Sequence, residues 1–259
     1  MRETIPQVYL VARPAVDVAG IESYLRAVEG TSWLALRRGQ EPVGTDAELL
    51  VEFAGRACYR SWEPGLNPNV TRIRTDQREY FGNLLASAHG SVLEHANFTF
   101  AFHQVSRVFT HELVRHRAGS AFSQESLRYV RLVDIGFRVP AALKGVRQHV
   151  IELVERLETF QREAADGLIE GDMPFAVRKE ITSALRRLAP LGLSTDIIWT
   201  ANVRTLRHVI AQRTAVGTEE EMRLVFDAVA RLALTEAPGL FQDFERHEDG
   251  SWVPAYPKV

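Results

Sequence analysis

Ala96–His103 reads "ANFTFAFH". Phe98, Phe100 and Phe102 stand at every second position, with Asn97, Thr99, Ala101 and His103 between them. Successive strand side chains point to opposite faces, so this alternation predicts a β-strand with one aromatic face in a core. On its N-terminal side lies "HGSVLEH", His89–His95, at the end of a helix expected over about 72–88, with Gly90 just past its end. On its C-terminal side the pattern changes to a helical period from about Val105 to Ala118. The segment "GSAFSQES" then reads as a loop, "LRYVRLV" as a strand-like stretch, and a second short strand is expected near "FRVP".

Further out, "QVYLVA" at 7–12 predicts a strand and 18–28 a short amphipathic helix. Thr45 with Glu48 three residues later is a capping-box pattern that opens a helix through about Ser61. "EPGLNPNV", with two prolines, a glycine and two asparagines, is a loop. From about Ala142 long helical patterns take over, at 144–169, 174–189, 199–214 and 218–236. Thr218 with Glu221 suggests another capping box, and Pro238–Gly239 ends the last helix. These elements make an α+β chain with one sheet and many helices. They form a single domain over 1–259, with a helical excursion at about 141–175.

The 259 residues suffice for a sizeable core, and 46% hydrophobic with 25% charged residues is an ordinary globular mix. Apolar runs fall far short of the roughly 18 residues that suggest a membrane span. "MRETIPQVYLVARP" reads as a strand rather than a signal peptide, because Arg13 and Pro14 break its brief apolar run. One cysteine, Cys58, excludes an internal disulfide framework and fits a reducing cytoplasm. With 31 basic and 33 acidic residues the net charge is −2, against a general nucleic-acid binder. Anion recognition must then be local, and arginines concentrate in the middle and later chain: Arg115, Arg117, Arg128 and Arg131, then Arg186, Arg187, Arg204, Arg207 and Arg213.

On a helical wheel Val105, Phe109, Glu112 and His116 share a sector, which Arg115 and Arg117 flank. Alone, the cluster is equally a buried histidine bonded to Glu112 beside a solvated helix end. The following segment adds Ser120, Ser123, Gln124, Ser126 and Arg128, so hydroxyls, an amide and a guanidinium join the arginines as in a phosphate site. Neither a P-loop nor a dinucleotide fingerprint is present.

In "WTANVRTLRHVIAQR", Asn202, Leu206, Val209 and Arg213 share one helix face, and Arg204 and His208 another. An arginine closing an apolar stripe points towards the core or a cleft; the other reading is a snorkelling end residue. His89 and His95 lack the H-E-x-x-H spacing of a zinc helix, so no metal is assigned. Cys58 has no obvious base beside it and reads as a structural thiol.

Together these residues resemble the flavin-dependent thymidylate synthases. The carrying motif is Arg115-His116-Arg117, then eight residues, then Ser126-x-Arg128. "HGSVLEH" resembles the family's upstream flavin segment and "NVRTLRH" with Arg213 its late helix. "LRRLAPLGLSTDIIWTAN" resembles a segment that brings a further nucleotide arginine, matched by Arg186. The resemblance runs from about Glu48 to Arg223.

It implies a mostly antiparallel sheet flanked by helices, of the thymidylate synthase-complementing type. It also implies reductive methylation of dUMP to dTMP, with 5,10-methylenetetrahydrofolate as carbon donor, FAD as hydride carrier and NADPH as reductant. The assembly implied is a cytoplasmic homotetramer with shared active sites. Arg115, His116 and Arg117 would contact FAD, with Arg115 also reaching dUMP. Ser91, Gln124, Asn202, Arg204 and His208 match flavin positions, and His89 lies near the ring. Gln124, Glu125, Ser126, Leu127 and Arg128, with Arg186, would hold the nucleotide, and Arg213 would act on the uracil. Glu112 stands at a substrate position where many relatives have glutamine; a carboxylate there must pair with an arginine or turn away. Two other readings are a nucleotide-binding regulator without turnover, and a metal-dependent hydrolase using His89, His95, His103 and His111.

Overall fold

The phenylalanine stretch forms a strand that runs further than its alternation, from Asn97 to Ser106. The computed structural model describes residues 1–39, 44–128, 136–169 and 171–259. In chain order its strands are β1 (Arg2–Glu3), β2 (Gln7–Ala12), β3 (Asn97–Ser106), β4 (Ser120–Gln124), β5 (Gly136–Phe137), β6 (Ser194–Asn202), β7 (Phe244–Arg246) and β8 (Trp252–Pro254). The helices are α1 (Val18–Ala27), α2 (Thr31–Arg38), α3 (Asp46–Tyr59), α4 (Gln77–Ala86), α5 (Arg107–Leu113), α6 (Arg147–Leu168), α7 (Phe175–Leu185), α8 (Val203–Thr214) and α9 (Glu220–Glu236).

The main sheet has the order β2-β3-β6-β4, antiparallel throughout. Phe98, Phe100 and Phe102 are buried, and the last two stack with Trp199 from β6. The same cluster takes Leu206, Val209 and Ile210 from α8 and Val225, Phe226 and Val229 from α9. Burying each large apolar side chain contributes about 1.5–3 kcal/mol, so this one face anchors both helices. The opposite face carries the cross-strand row Tyr9, Ala101, Ile198 and Ser123, with Tyr9 and Ile198 exposed at 50% and 40%. A parallel pair β1–β5 and a hairpin β7–β8 complete the strands. Helix α6, against which α7 packs, stands on a separate small cluster around Phe137, Val154 and Leu193.

The Thr45–Glu48 capping box forms as expected. Several boundaries differ from the sequence reading, each for a physical reason. The helix expected from Val105 begins at Arg107, because Ser106 caps it by accepting from Phe109 N. It ends at Leu113, so Arg115–Arg117 lie in a turn and not on a helix. "GSAFSQES" is not a loop: Ser120–Gln124 pairs with β6 as an edge strand. Residues 199–202 belong to β6, and α8 starts only at Val203, capped by Asn202. The cap of α9 is Glu219 rather than Thr218, and Glu221 instead turns inward to accept from Ser106 N and Oγ. The helix expected from 72 starts at Gln77, behind its cap Asp76. The greater part of "LRYVRLV" lies outside the described residues.

Candidate active site

Two segments far apart in sequence face each other across the end of the sheet. The turn after α5 brings Arg115, His116, Arg117, Ala118 and Gly119; the β6–α8 junction brings Asn202, Arg204, Thr205, His208 and Val209. They are fastened locally. Asn202 N donates to Gly119 O at 3.1 Å, and Thr205 Oγ1 donates to Ala118 O at 2.8 Å. Asn202 Oδ1 accepts from Thr205 N at 2.8 Å. Gly119 has φ +64, and a Cβ there would collide with the side chains of Asn202 and Thr205, so this approach requires glycine.

Between the segments lies an open cavity of about 630 Å³, lined also by Glu94 and by Pro257, Lys258 and Val259. Its charged lining is Arg115, Arg117, Arg204 and Lys258 against Glu94, which pairs with Arg204 at 2.6 Å. The excess is positive and the volume suits a drug-sized ligand. Rings of His116 and His208, 6.2 Å apart edge to face, and the side chain of Val209 supply flat and apolar wall. A large anionic ligand with an aromatic part fits this donor set.

Behind His116 sits Arg213. Its Nε donates to His116 Nε2 at 2.7 Å and its NH1 to Glu112 Oε2 at 2.7 Å. Thus Glu112 pairs with an arginine, one of the two ways its charge could be tolerated, while His116 bonds to Arg213 and not to Glu112. Burial lowers the His116 pKa from 6.5 to about 4, helped by the charges of Arg213 and His208. The unfolded chain takes up this proton below pH 6.5 and the folded chain does not, so the residue draws stability from the fold as pH falls towards about 4.

The expected nucleotide residues lie elsewhere. Gln124, Glu125, Ser126, Leu127, Arg128 and Arg186 gather past the far end of β4, about 14 Å along the strand from Ser120. Gln124 Nε2 donates to Thr110 Oγ1 at 2.9 Å, and Ser126 Oγ accepts from Arg128 N at 3.3 Å. Leu127 packs on the Phe137 cluster. Arg128 and Arg186 are exposed. Arg107 joins this group and was not singled out from the sequence. Its NH2 donates to Glu125 O at 3.0 Å, while its buried Nε has no partner among the described residues. Burial lowers its pKa; nearby Glu125 opposes that and Arg186 adds to it. Its signal in the sequence was its place just after Ser106, once that serine is known to cap α5.

His89 and Ser91 do not line the cavity, although Gly90 between them backs onto it. A Cβ on Gly90 would come within 2.9 Å of Arg204 Nε. His89 rests on Tyr59, and His103 binds Asp196 on the open sheet face. Among the described residues no group of three or more His, Cys, Asp or Glu comes together as around a metal. Nor is any helix among them long and apolar enough to cross a membrane. Cys58 is exposed on α3, away from both groups. Cys58→Ser is expected to form product within about tenfold of the parent, roughly 1.4 kcal/mol in barrier; loss of turnover with cofactor retained would make the thiol a participant.

The family model described as thymidylate synthase complementing protein matches residues 43–239, a range that holds His89 through Arg213. The flavin-dependent thymidylate synthase of Mycobacteroides abscessus is 38% identical over 228 residues, covering 83% of this chain and 88% of its own. That of Mycobacterium tuberculosis is 37% identical over 229 residues, covering 83% and 89%. Among solved structures, a UMP/dUMP methylase, PolB from Streptomyces cacaoi bound with 5-Br UMP, aligns with TM-score 0.61 over 92% of this chain and 93% of that one. At 18% identity the likeness is one of fold. A positively charged cavity built by Arg115–Gly119 and Asn202–Val209, inside a stretch matched by both the family model and these relatives, places the chain in the flavin-dependent thymidylate synthase family, a family of enzymes.

Proposed function

We propose that this protein converts dUMP to dTMP, with 5,10-methylenetetrahydrofolate as carbon donor, FAD as cofactor and NADPH as reductant. The observation that carries the reading is the convergence of Arg115, His116 and Arg117 with Asn202, Arg204 and His208 on one cationic cavity. Arg115, Arg117 and Arg204 would hold the FAD diphosphate, and Asn202 and His208 its polar edges. His89 and Ser91, on either side of Gly90, would reach it from the start of the segment Gly90–His95 that also carries Glu94. When bound, FAD supplies a hydride carrier between NADPH and the pyrimidine.

The second group would hold dUMP. Arg128 and Arg186 supply charge for the phosphate, Arg107 adds to it, and Gln124 through Leu127 place polar and apolar atoms around the sugar. Replacing Arg186 or Arg128 by alanine is expected to weaken dUMP far more than FAD, each lost charge-assisted bond costing about 1.5–3 kcal/mol. Deoxyuridine binding the parent as tightly as dUMP does would refute the phosphate assignment.

The flavin group and the nucleotide group stand at opposite ends of β4, yet a pyrimidine must reach the flavin to be reduced. A homotetramer with active sites shared between subunits resolves this, each site taking one group from each of two chains. The row Tyr9–Ala101–Ile198–Ser123 offers an uncovered sheet face for such association. Ile198→Glu would place a charge there and is expected to lower the mass measured by light scattering; an unchanged mass removes this face from the interface. The chain acts as a single domain, in the cytoplasm, without nucleic-acid or membrane partners.

The deciding experiment incubates the purified protein with FAD, NADPH, methylenetetrahydrofolate and dUMP and measures dTMP. Flavin and dUMP binding without dTMP would leave a binding protein instead of an enzyme.

A further inference from the structure

His116 Nε2 receives the Nε–H of Arg213 at 2.7 Å. An arginine N–H can only donate, so this ring nitrogen must present a lone pair. Glu112 keeps the guanidinium from turning away, accepting NH1 on its carboxylate at 2.7 Å and NH2 on its carbonyl oxygen at 3.4 Å. The other ring nitrogen, Nδ1, has no partner among the described residues, and the ring forms part of the cavity wall. We propose that Arg213, besides any direct role towards the uracil, acts with Glu112 to position His116, holding it as a neutral, Nδ1-protonated imidazole that meets the cavity's ligand as an uncharged hydrogen-bond donor.

The tautomer is a property of this chain; only the identity of the ligand as a flavin rests on the function proposed above. A donor at this point selects a lone-pair atom on the ligand, such as a carbonyl oxygen or an aromatic ring nitrogen. Charge recognition is left to Arg115, Arg117 and Arg204. The surroundings oppose protonation of the ring. From α8 it faces Arg213, His208 and Arg204, and Lys258 lines the same cavity. Arg115 and Arg117 flank it in sequence. The carboxylates near it are Glu112, engaged by Arg213, and Glu94, engaged by Arg204. A proton on Nε2 would also set two N–H groups against each other. The lowering of the His116 pKa to about 4 agrees with this arrangement.

Long-range proton–nitrogen NMR on ¹⁵N-histidine-labelled, flavin-bound protein tests the proposal without dUMP or turnover, with His116 assigned by its loss in His116→Gln. In the parent, Nδ1 should show the protonated shift and Nε2 the unprotonated one, unchanged between pH 8 and pH 5. Arg213→Met removes the donor and keeps the bulk. It should populate the Nε2-protonated form and raise the titration midpoint by about one pH unit or more. Glu112→Gln loosens the hold on the guanidinium and should populate the Nε2-protonated form by less, without raising the midpoint, because it removes a carboxylate. A parent with its proton on Nε2, or an Arg213→Met protein with unchanged tautomer and midpoint, would overturn the proposal. Should Arg213→Met not fold, the parent spectrum and Glu112→Gln decide. A dTMP assay on the same preparation reports separately on the proposed function, because the tautomer can hold where no dTMP forms.

Discussion

Arg213→Ala is expected to form dTMP at least about 100-fold more slowly than the parent at saturating dUMP, while still binding flavin and being reduced by NADPH. The guanidinium is mostly buried, its side chain 17% exposed, and it carries a delocalised positive charge into the site. Such a charge is poorly screened and would stabilise negative charge spreading over the uracil ring as it is activated. Losing one preorganised stabiliser of that kind costs about 2.7–4 kcal/mol in the barrier. Such a contact would strengthen as the charge develops, so turnover should suffer together with binding. The alanine variant also leaves Glu112 without its cation, adding a negative charge where an anionic substrate is to bind. Arg213→Ala combined with Glu112→Gln should therefore recover part of the lost dUMP affinity. Lysine would restore charge without the planar contact and rescue only partly. Near-parental turnover by Arg213→Ala would remove the residue from the chemistry.

The second large effect concerns stability. Arg207 and Asp243 are 3% and 5% exposed and meet through two hydrogen bonds, NH1 to Oδ1 at 2.7 Å and NH2 to Oδ2 at 2.9 Å. Arg207 also donates to Leu240 O and stands 4.9 Å over the Phe244 ring. Asp243 accepts from Tyr256 N at 3.1 Å, and its carbonyl accepts from Ala255 N at 2.9 Å. The pair thus fastens the segment that leads into Pro257, Lys258 and Val259 on the cavity wall. Removing one partner strands a buried charge and costs about 3–5 kcal/mol. Arg207→Ala should lower the thermal midpoint by roughly 10 °C. Flavin affinity should fall with it as the wall loosens. Arg207→Met with Asp243→Leu should regain much of the stability, since an apolar pair carries no stranded charge. Parental stability in Arg207→Ala would show that the pair holds nothing in place.

Some of this was written locally in the chain. Phe98, Phe100 and Phe102 declare a strand because burial on one sheet face repeats every two residues, whatever the neighbouring strands are. Thr45 and Glu48 declare a helix start because the two bonds of a capping box close within four residues. The candidate site residues were legible in the same way, as two short clusters, Arg115–Arg128 and Asn202–Arg213, each with its own chemistry.

Other features depended on partners distant in sequence. Ser120–Gln124 has only Phe122 as a large apolar residue, too little alternation to mark a strand; its backbone is extended because β6 offers a ladder to it. The wheel carried Arg115–Arg117 on a helix, but Arg117 O is taken by Ser120 N and the chain turns into β4. Long-range packing alone joined Arg115–Gly119 to Asn202–Val209, added Pro257–Val259 to the wall of their cavity and set Glu112 against Arg213. Periodicity reports which side of an element is buried. Which element lies against that side is decided by the sum of sheet pairing, core packing and charge neutralisation over the whole chain.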